Sequence, residues 1–208
     1  LEEYAGEMEN VRHIGQEGKS YTEAYIDHLP TATAVSHASI GTGAYPATHG
    51  IAGNHFMDPD GGLVYAMDGS SPKYMESEAL GDIYWRETDG KAEMFSFGGA
   101  DRTAIGMGGH GAYISGNPKS HVFWYDDESG KYTTNEKYYE VPEVLRNDSI
   151  EDYGMSEYCP DPWEAKATPA LSDMIGDGAI KLLQTIEKQE YPHLFFINFK
   201  SADYAGHR

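Results

Sequence analysis

A chain of 208 residues is long enough for one domain with a buried core, and its ordinary apolar content and 16 tyrosines are not the composition of a disordered segment. The 34 acidic against 15 basic residues give a formal net charge of -19, which argues against nucleic-acid binding through phosphates, since that needs a basic surface. A single cysteine, Cys159, excludes an intrachain disulfide, and no stretch is apolar and long enough to span a bilayer. Leu1-Glu2-Glu3-Tyr4 is not a signal peptide and Gly206-His207-Arg208 ends without a tail, so both ends read as cut from a longer chain.

In chain order, residues 1–29 mix charge with apolar positions such as Val11, Ile14 and Tyr21, a pattern for a short amphipathic helix leading into an edge segment near Tyr25-Ile26. Pro30 breaks that pattern. The small and apolar residues that follow predict a helix starting at Thr33 and stopping at Gly43. Residues 52–75 are rich in Gly, Asp, Pro and Ser and read mostly as loop, and Ala79–Trp85 as a weak helix. Ala92–Phe97 reads as a buried strand before a Gly-Gly turn. His121–Tyr125 and Lys131–Thr134 flank an acidic, glycine-ended turn and predict a hairpin. Residues 136–168 lack periodicity and suit an irregular cap, so that a cap insertion is expected over about 106–168. Leu171–Lys188 has helical apolar spacing, and the near-continuous apolar run His193–Phe199 fits a central strand covered on both faces. Helix, buried strand and polar loop together imply an α/β fold with function at the strand's carboxyl end.

Three constellations carry chemistry. Thr33 opens a helix, where free N–H groups and the helix dipole favour an anion, although Thr is also an ordinary helix cap and its hydroxyl needs a cation to become a nucleophile. Asp203 and His207 stand four apart after the apolar strand, so one helical turn would put both on one side as possible zinc donors; a capping Asp with a surface His is the plainer alternative. Arg102 follows Gly98-Gly99-Ala100-Asp101 and could fork onto phosphate oxygens, or pair with a surface carboxylate.

Taken together, Pro30-Thr31-Ala32-Thr33, His37-Ala38-Ser39, Thr42-Gly43-Ala44-Tyr45-Pro46 and His49-Gly50-Ile51-Ala52-Gly53-Asn54 follow one another with the order and spacing P-T-x-T, H-x-S, T-G-x-Y-P and H-G-I-x-x-N. This resembles the nucleophile region of the alkaline phosphatase superfamily, in its nucleotide pyrophosphatase/phosphodiesterase branch and the related single-Thr alkaline phosphatases. Ser201–His207 is similar to that family's S-x-D-x-x-G-H. The resemblance implies an alkaline phosphatase-like α/β fold, incomplete here, with a mostly parallel sheet flanked by helices. It implies hydrolysis of phosphoric mono- or diesters through a phospho-threonine on Thr33, with Asn54 and Arg102 on the phosphoryl oxygens and His37 and His49 in structural roles. Two divalent metal ions, zinc by expectation, are implied; Thr33 would be this chain's donor to one, and Asp203 and His207 its donors to the other. A periplasmic or extracellular location and a small-molecule phosphoric ester as substrate follow from the same resemblance.

The sequence departs from the pattern at Ala100, which stands where the single-Thr subgroup has a Lys two residues before the Arg, so strong monoester specificity is not expected. The family's remaining metal donors have no counterpart, and the other histidines match no ligand motif, so the chain alone is expected to be an inactive fragment, or at most a binding domain. A sulfatase would need a modifiable Cys or Ser in a C/S-x-P-x-R context that Thr33-Ala34-Val35-Ser36 lacks.

Overall fold

The computed structural model describes residues 6, 8–114, 120–186 and 191–207. Three parallel strands, β3 (Met94–Gly98), β4 (His121–Asp126) and β6 (Leu194–Asn198), and one antiparallel strand, β5 (Lys131–Thr133), form a sheet of order β5-β4-β3-β6. Strand alternation sorts the aromatic residues onto two faces. Phe95, Phe97, Phe123 and Tyr125 meet Leu171, Met174, Ile175 and Leu182 of helix α7 (Pro169–Thr185). Met94, Val122 and Trp124 meet Val35 and Ala38 of α2 (Thr33–Thr42) and Ala104 and Ile105 of α5 (Asp101–Gly108) on the opposite face. Each fully buried side chain of this size contributes about 1.5–3 kcal/mol on the transfer scale. The sheet is therefore covered on both sides by helices, the expected α/β arrangement.

Helix α2 begins and ends where small residues and Gly43 place it; Gly43 takes the left-handed conformation (φ 65) and its N–H closes on the Ser39 carbonyl. A glycine pair locks α2 to α5: a Cβ on Gly41 would run into the Gly106 carbonyl, and one on Gly106 would lie 3.1 Å from the Ala38 nitrogen. In the sheet, a Cβ on Gly98 would run into the Asn198 carbonyl, so glycine permits the close approach of β3 and β6 at their carboxyl ends.

Several expectations change. The amphipathic pattern near the start forms α1 (Glu9–Glu17), but none of its residues is buried, and Tyr25-Ile26 is exposed without strand pairing. The supposed loop at 52–75 contains a two-stranded hairpin, β1 (His55–Asp58) with β2 (Gly62–Tyr65), turned by Pro59-Asp60-Gly61 with Gly61 at φ 89. The β4–β5 hairpin is built into the main sheet, because β4 also pairs parallel with β3. The irregular segment after it packs Leu145, Ile150 and Met155 against the α7 side of the core. Short α3 (Pro46–His49) and α4 (Leu80–Glu87), and α6 (Pro162–Ala165), complete the helices placed before α7. The last expected residues of α7, to Lys188, lie outside the described residues. Finally, β6 is an end strand of the sheet among the described residues. It has one hydrogen-bonded neighbour, β3, and leaves Ile197 and Phe199 partly exposed, so the apolar run is covered less fully than a central strand would be.

Candidate active site

The carboxyl ends of β3 and β6 lead directly into two helix starts, that of α5 after Ala100 and that of α8 (Ser201–Gly206) after Lys200. The start of α2 is tied to the same place by His37. Its Nδ1 donates to the Thr33 carbonyl at 2.8 Å, which leaves Nε2 bare to accept from the Asn198 amide nitrogen at 3.2 Å. Burial is the main force pulling the His37 pKa below its ordinary value; the Thr33 carbonyl opposes it, and the charges of Lys200 and Arg102 reinforce it. The ring is thus a neutral strut. With both nitrogens engaged, it is not placed to act as a base on the Thr33 hydroxyl.

Thr33 is the first residue of α2, preceded by extended Ala32, and is half-buried. Ala32 cannot cap the helix. Instead Asn54, reached through the His49-Gly50-Ile51 bend, accepts the Ala34 N–H on Oδ1 at 2.8 Å. With that oxygen committed, the amide keeps its two NH2 donors for other partners. The bend is held by His49, which is fully buried: Nε2 donates to Ser39 Oγ at 2.9 Å and Nδ1 accepts from Ile51 N at 3.1 Å.

Arg102 lies in the first turn of α5. Its Nη1 donates to the Tyr65 hydroxyl at 3.4 Å, and that hydroxyl donates to Asp101 Oδ1 at 3.0 Å. Burial, followed by Asp101, pushes the Tyr65 hydroxyl up to about 12, so it stays protonated. Among the described residues, Arg102 Nε is buried without a hydrogen-bond partner, a donor left for an acceptor they do not supply. Tyr65 was missed because β2 was read as loop; the Asp60-Gly61 turn between Phe56-Met57 and Leu63-Val64 was the available signal.

Asp203 and His207 do share one side of α8, with Oδ1 to Nε2 at 3.6 Å. Asp203 Oδ2 is held by Lys200 Nζ at 2.6 Å, an interaction that lowers the carboxyl pKa. Among the described residues no group of three or more His, Cys, Asp or Glu side chains is placed to hold a metal ion. Two donors from one turn, one of them already paired with an ammonium, do not fit a divalent ion that takes three or four donors. His110 adds none: it is buried, with Nδ1 on Asp82 Oδ2 at 2.8 Å and Nε2 on the Met75 carbonyl at 2.9 Å. No helix among the described residues is long and apolar enough to cross a membrane.

A family model described as type I phosphodiesterase / nucleotide pyrophosphatase matches residues 1–208. Alkaline phosphatase PhoV of Synechococcus elongatus is 31% identical over 202 residues, which make up 88% of this chain and 36% of PhoV. Alkaline phosphatase PafA of Elizabethkingia meningoseptica is 32% identical over 137 residues, 58% of this chain and 24% of PafA. The crystal structure of wild-type alkaline phosphatase PafA matches with a TM-score of 0.67 at 25% identity, covering 88% of this chain and 46% of that one. The chain spans well under half the length of these curated relatives.

Proposed function

Since the chain belongs to the type I phosphodiesterase / nucleotide pyrophosphatase family, we propose that its full gene product hydrolyses small phosphoric esters by two displacements through Thr33. In the first, a bond forms between Thr33 Oγ1 and phosphorus, the bond from phosphorus to the leaving oxygen breaks, and the hydroxyl proton passes through solvent to the departing oxygen. In the second, water attacks the phosphorus, the bond from phosphorus to Thr33 Oγ1 breaks, and a proton of that water restores the hydroxyl as the phosphate departs. The observation that carries this reading is the junction of the α2 start with the carboxyl end of β6, made by Thr33, His37 and Asn198.

The roles follow from what each group has left to offer. In this reading the first-turn N–H groups of α2 other than that of Ala34, which Asn54 takes, and the Asn54 NH2 donors bind the anion at the helix start. Arg102 brings a permanent charge and the unpartnered Nε donor. His37 and Asn198 hold Thr33 in register with the sheet and transfer no proton. Two divalent ions, zinc foremost, are part of the proposal for the full gene product, with Thr33, Asp203 and His207 as this chain's donors. No step above passes through them, because the described donors do not complete a site. For the same reason the 208-residue chain alone is expected to turn over little. A location outside the cytoplasm belongs to the same reading.

The test is Thr33→Ala in the full gene product, assayed on an aryl phosphate. Ala32, not Thr33, occupies the capping position of α2, so the variant is expected to fold and melt like the parent while losing nearly all turnover. Retention of most activity would remove Thr33 as nucleophile.

A further inference from the structure

Arg102 follows Asp101 in the first turn of α5. A guanidinium beside a part-buried carboxylate ordinarily closes on it in a fork of charged hydrogen bonds of about 2.8 Å. A pair closed in that way has little charge left for a substrate. Here the two do not close. Arg102 Nη1 stops 4.0 Å from Asp101 Oδ1, although both side chains are largely buried. Adjacent helical residues point in different directions, yet the guanidinium has already come close enough for a flexible Arg side chain to finish the approach. The Tyr65 hydroxyl bridges the gap: it accepts from Nη1 at 3.4 Å and donates to Oδ1 at 3.0 Å. The carboxylate is further occupied. Oδ1 also accepts the Arg102 backbone N–H at 2.6 Å, and Oδ2 accepts from Ser70 Oγ at 3.4 Å.

The hydroxyl is held there by the hairpin that follows Asn54. Tyr65 ends β2 and pairs in register with His55, its ring 5.4 Å from the His55 ring. The next residue, Ala66, donates its N–H to the Asn54 carbonyl at 2.9 Å. One hairpin thus fixes Asn54 at the start of α2 and Tyr65 at the start of α5. We propose that Tyr65 is a positioning residue for Arg102: its hydroxyl, wedged between the guanidinium and Asp101, keeps Arg102 from collapsing onto the carboxylate and leaves its charge for the phosphoryl oxygens. The proposal rests on the role given to Arg102 in hydrolysis, and its test separates the two.

Tyr65→Phe, Arg102→Ala and their combination are made in the full gene product, with Tyr65→Phe also combined with Asp101→Asn. The readout is kcat/KM on an aryl phosphate, with circular dichroism melts as the check on folding. Phenylalanine keeps the ring against His55, so the hairpin is expected to stay in place. Misplacing a substrate-binding group by about 1 Å can cost a hundredfold in rate, so Tyr65→Phe is expected to lower kcat/KM by about tenfold to a hundredfold. In Arg102→Ala the same change is expected to have no further effect, because no guanidinium remains to misplace. Asp101→Asn is expected to restore most of what Tyr65→Phe loses: its carboxamide oxygen still accepts the Arg102 N–H, but the charge that draws the guanidinium is gone. A Tyr65→Phe variant as active as the parent, beside an impaired Arg102→Ala, would overturn the proposal and leave the role of Arg102 standing. An equal loss in both backgrounds would also overturn it, since a Tyr65 that merely braces the hairpin acts whether or not Arg102 is present. No recovery with Asp101→Asn would overturn it as well. Full activity in Arg102→Ala would overturn the role of Arg102 and the proposal together.

Discussion

Asn54 caps α2 and, in the proposed function, also donates to the substrate, two duties that substitution can separate. Its Oδ1 accepts the Ala34 N–H at 2.8 Å, a cap on α2 supplied from a residue 20 positions along the chain. Asn54→Ala removes that acceptor, and losing a side-chain cap costs about 1 kcal/mol, in a range of roughly 0.5–2. For a chain of this length that lowers the melting temperature by about 2–4 °C. Asn54→Asp keeps an oxygen for the Ala34 N–H and adds a charge favoured by the helix dipole, so it should melt near the parent value. Hydrolysis should behave differently. Both variants lose the NH2 donors, and loss of one such donor lowers turnover by about a hundredfold to a thousandfold. Asp should be the worse of the two, because its carboxylate repels the phosphoryl oxygens. Circular dichroism melts, with kcat/KM on an aryl phosphate for the full gene product, give both readings. An Asp variant as active as the parent would show that the amide nitrogen does not face the substrate. An Ala variant that melts like the parent would show that Asn54 does not hold the start of α2.

Ala100 is buried and brings no cation to the turn before Arg102, so appreciable hydrolysis of aryl or nucleotide diesters is expected from the full gene product; steady-state rates on matched mono- and diesters decide this, and a large monoester excess would assign the missing Lys's work to another group. The buried His110–Asp82 pair should make stability depend on pH. Burial is the largest influence on His110 and lowers its pKa, but the Asp82 hydrogen bond and the Met75 carbonyl outweigh it and leave the value raised above the ordinary 6.5. The folded pKa therefore exceeds the unfolded one. The pair's contribution is complete below about pH 6.5 and fades as pH rises through the raised value. The gap in urea midpoint between the parent and Asp82→Asn should narrow upward from there, and a gap constant across that range would contradict an ionised His110.

The sequence alone determined the features that depend on neighbours in the chain. The stop at Gly43, the buried run of β3, the β4–β5 turn and the periodicity of α7 are local steric and hydrophobic patterns, and the ungapped series from Pro30 to Asn54 was legible as a motif. The same spacing argument placed Asp203 and His207 on one side of a turn. Tertiary structure decided what depends on partners distant in sequence. Tyr65 meets Arg102 because β1 and β2 pair across a turn that composition disguised as loop. Asn54 caps α2 because the His49 network folds its segment back. His37 reaches Asn198, 161 residues away, only once α2 has packed on the sheet. β6 has the apolar composition of a central strand yet lies at an end of the described sheet, since composition records the tendency to be buried and only pairing records how many neighbours a strand has.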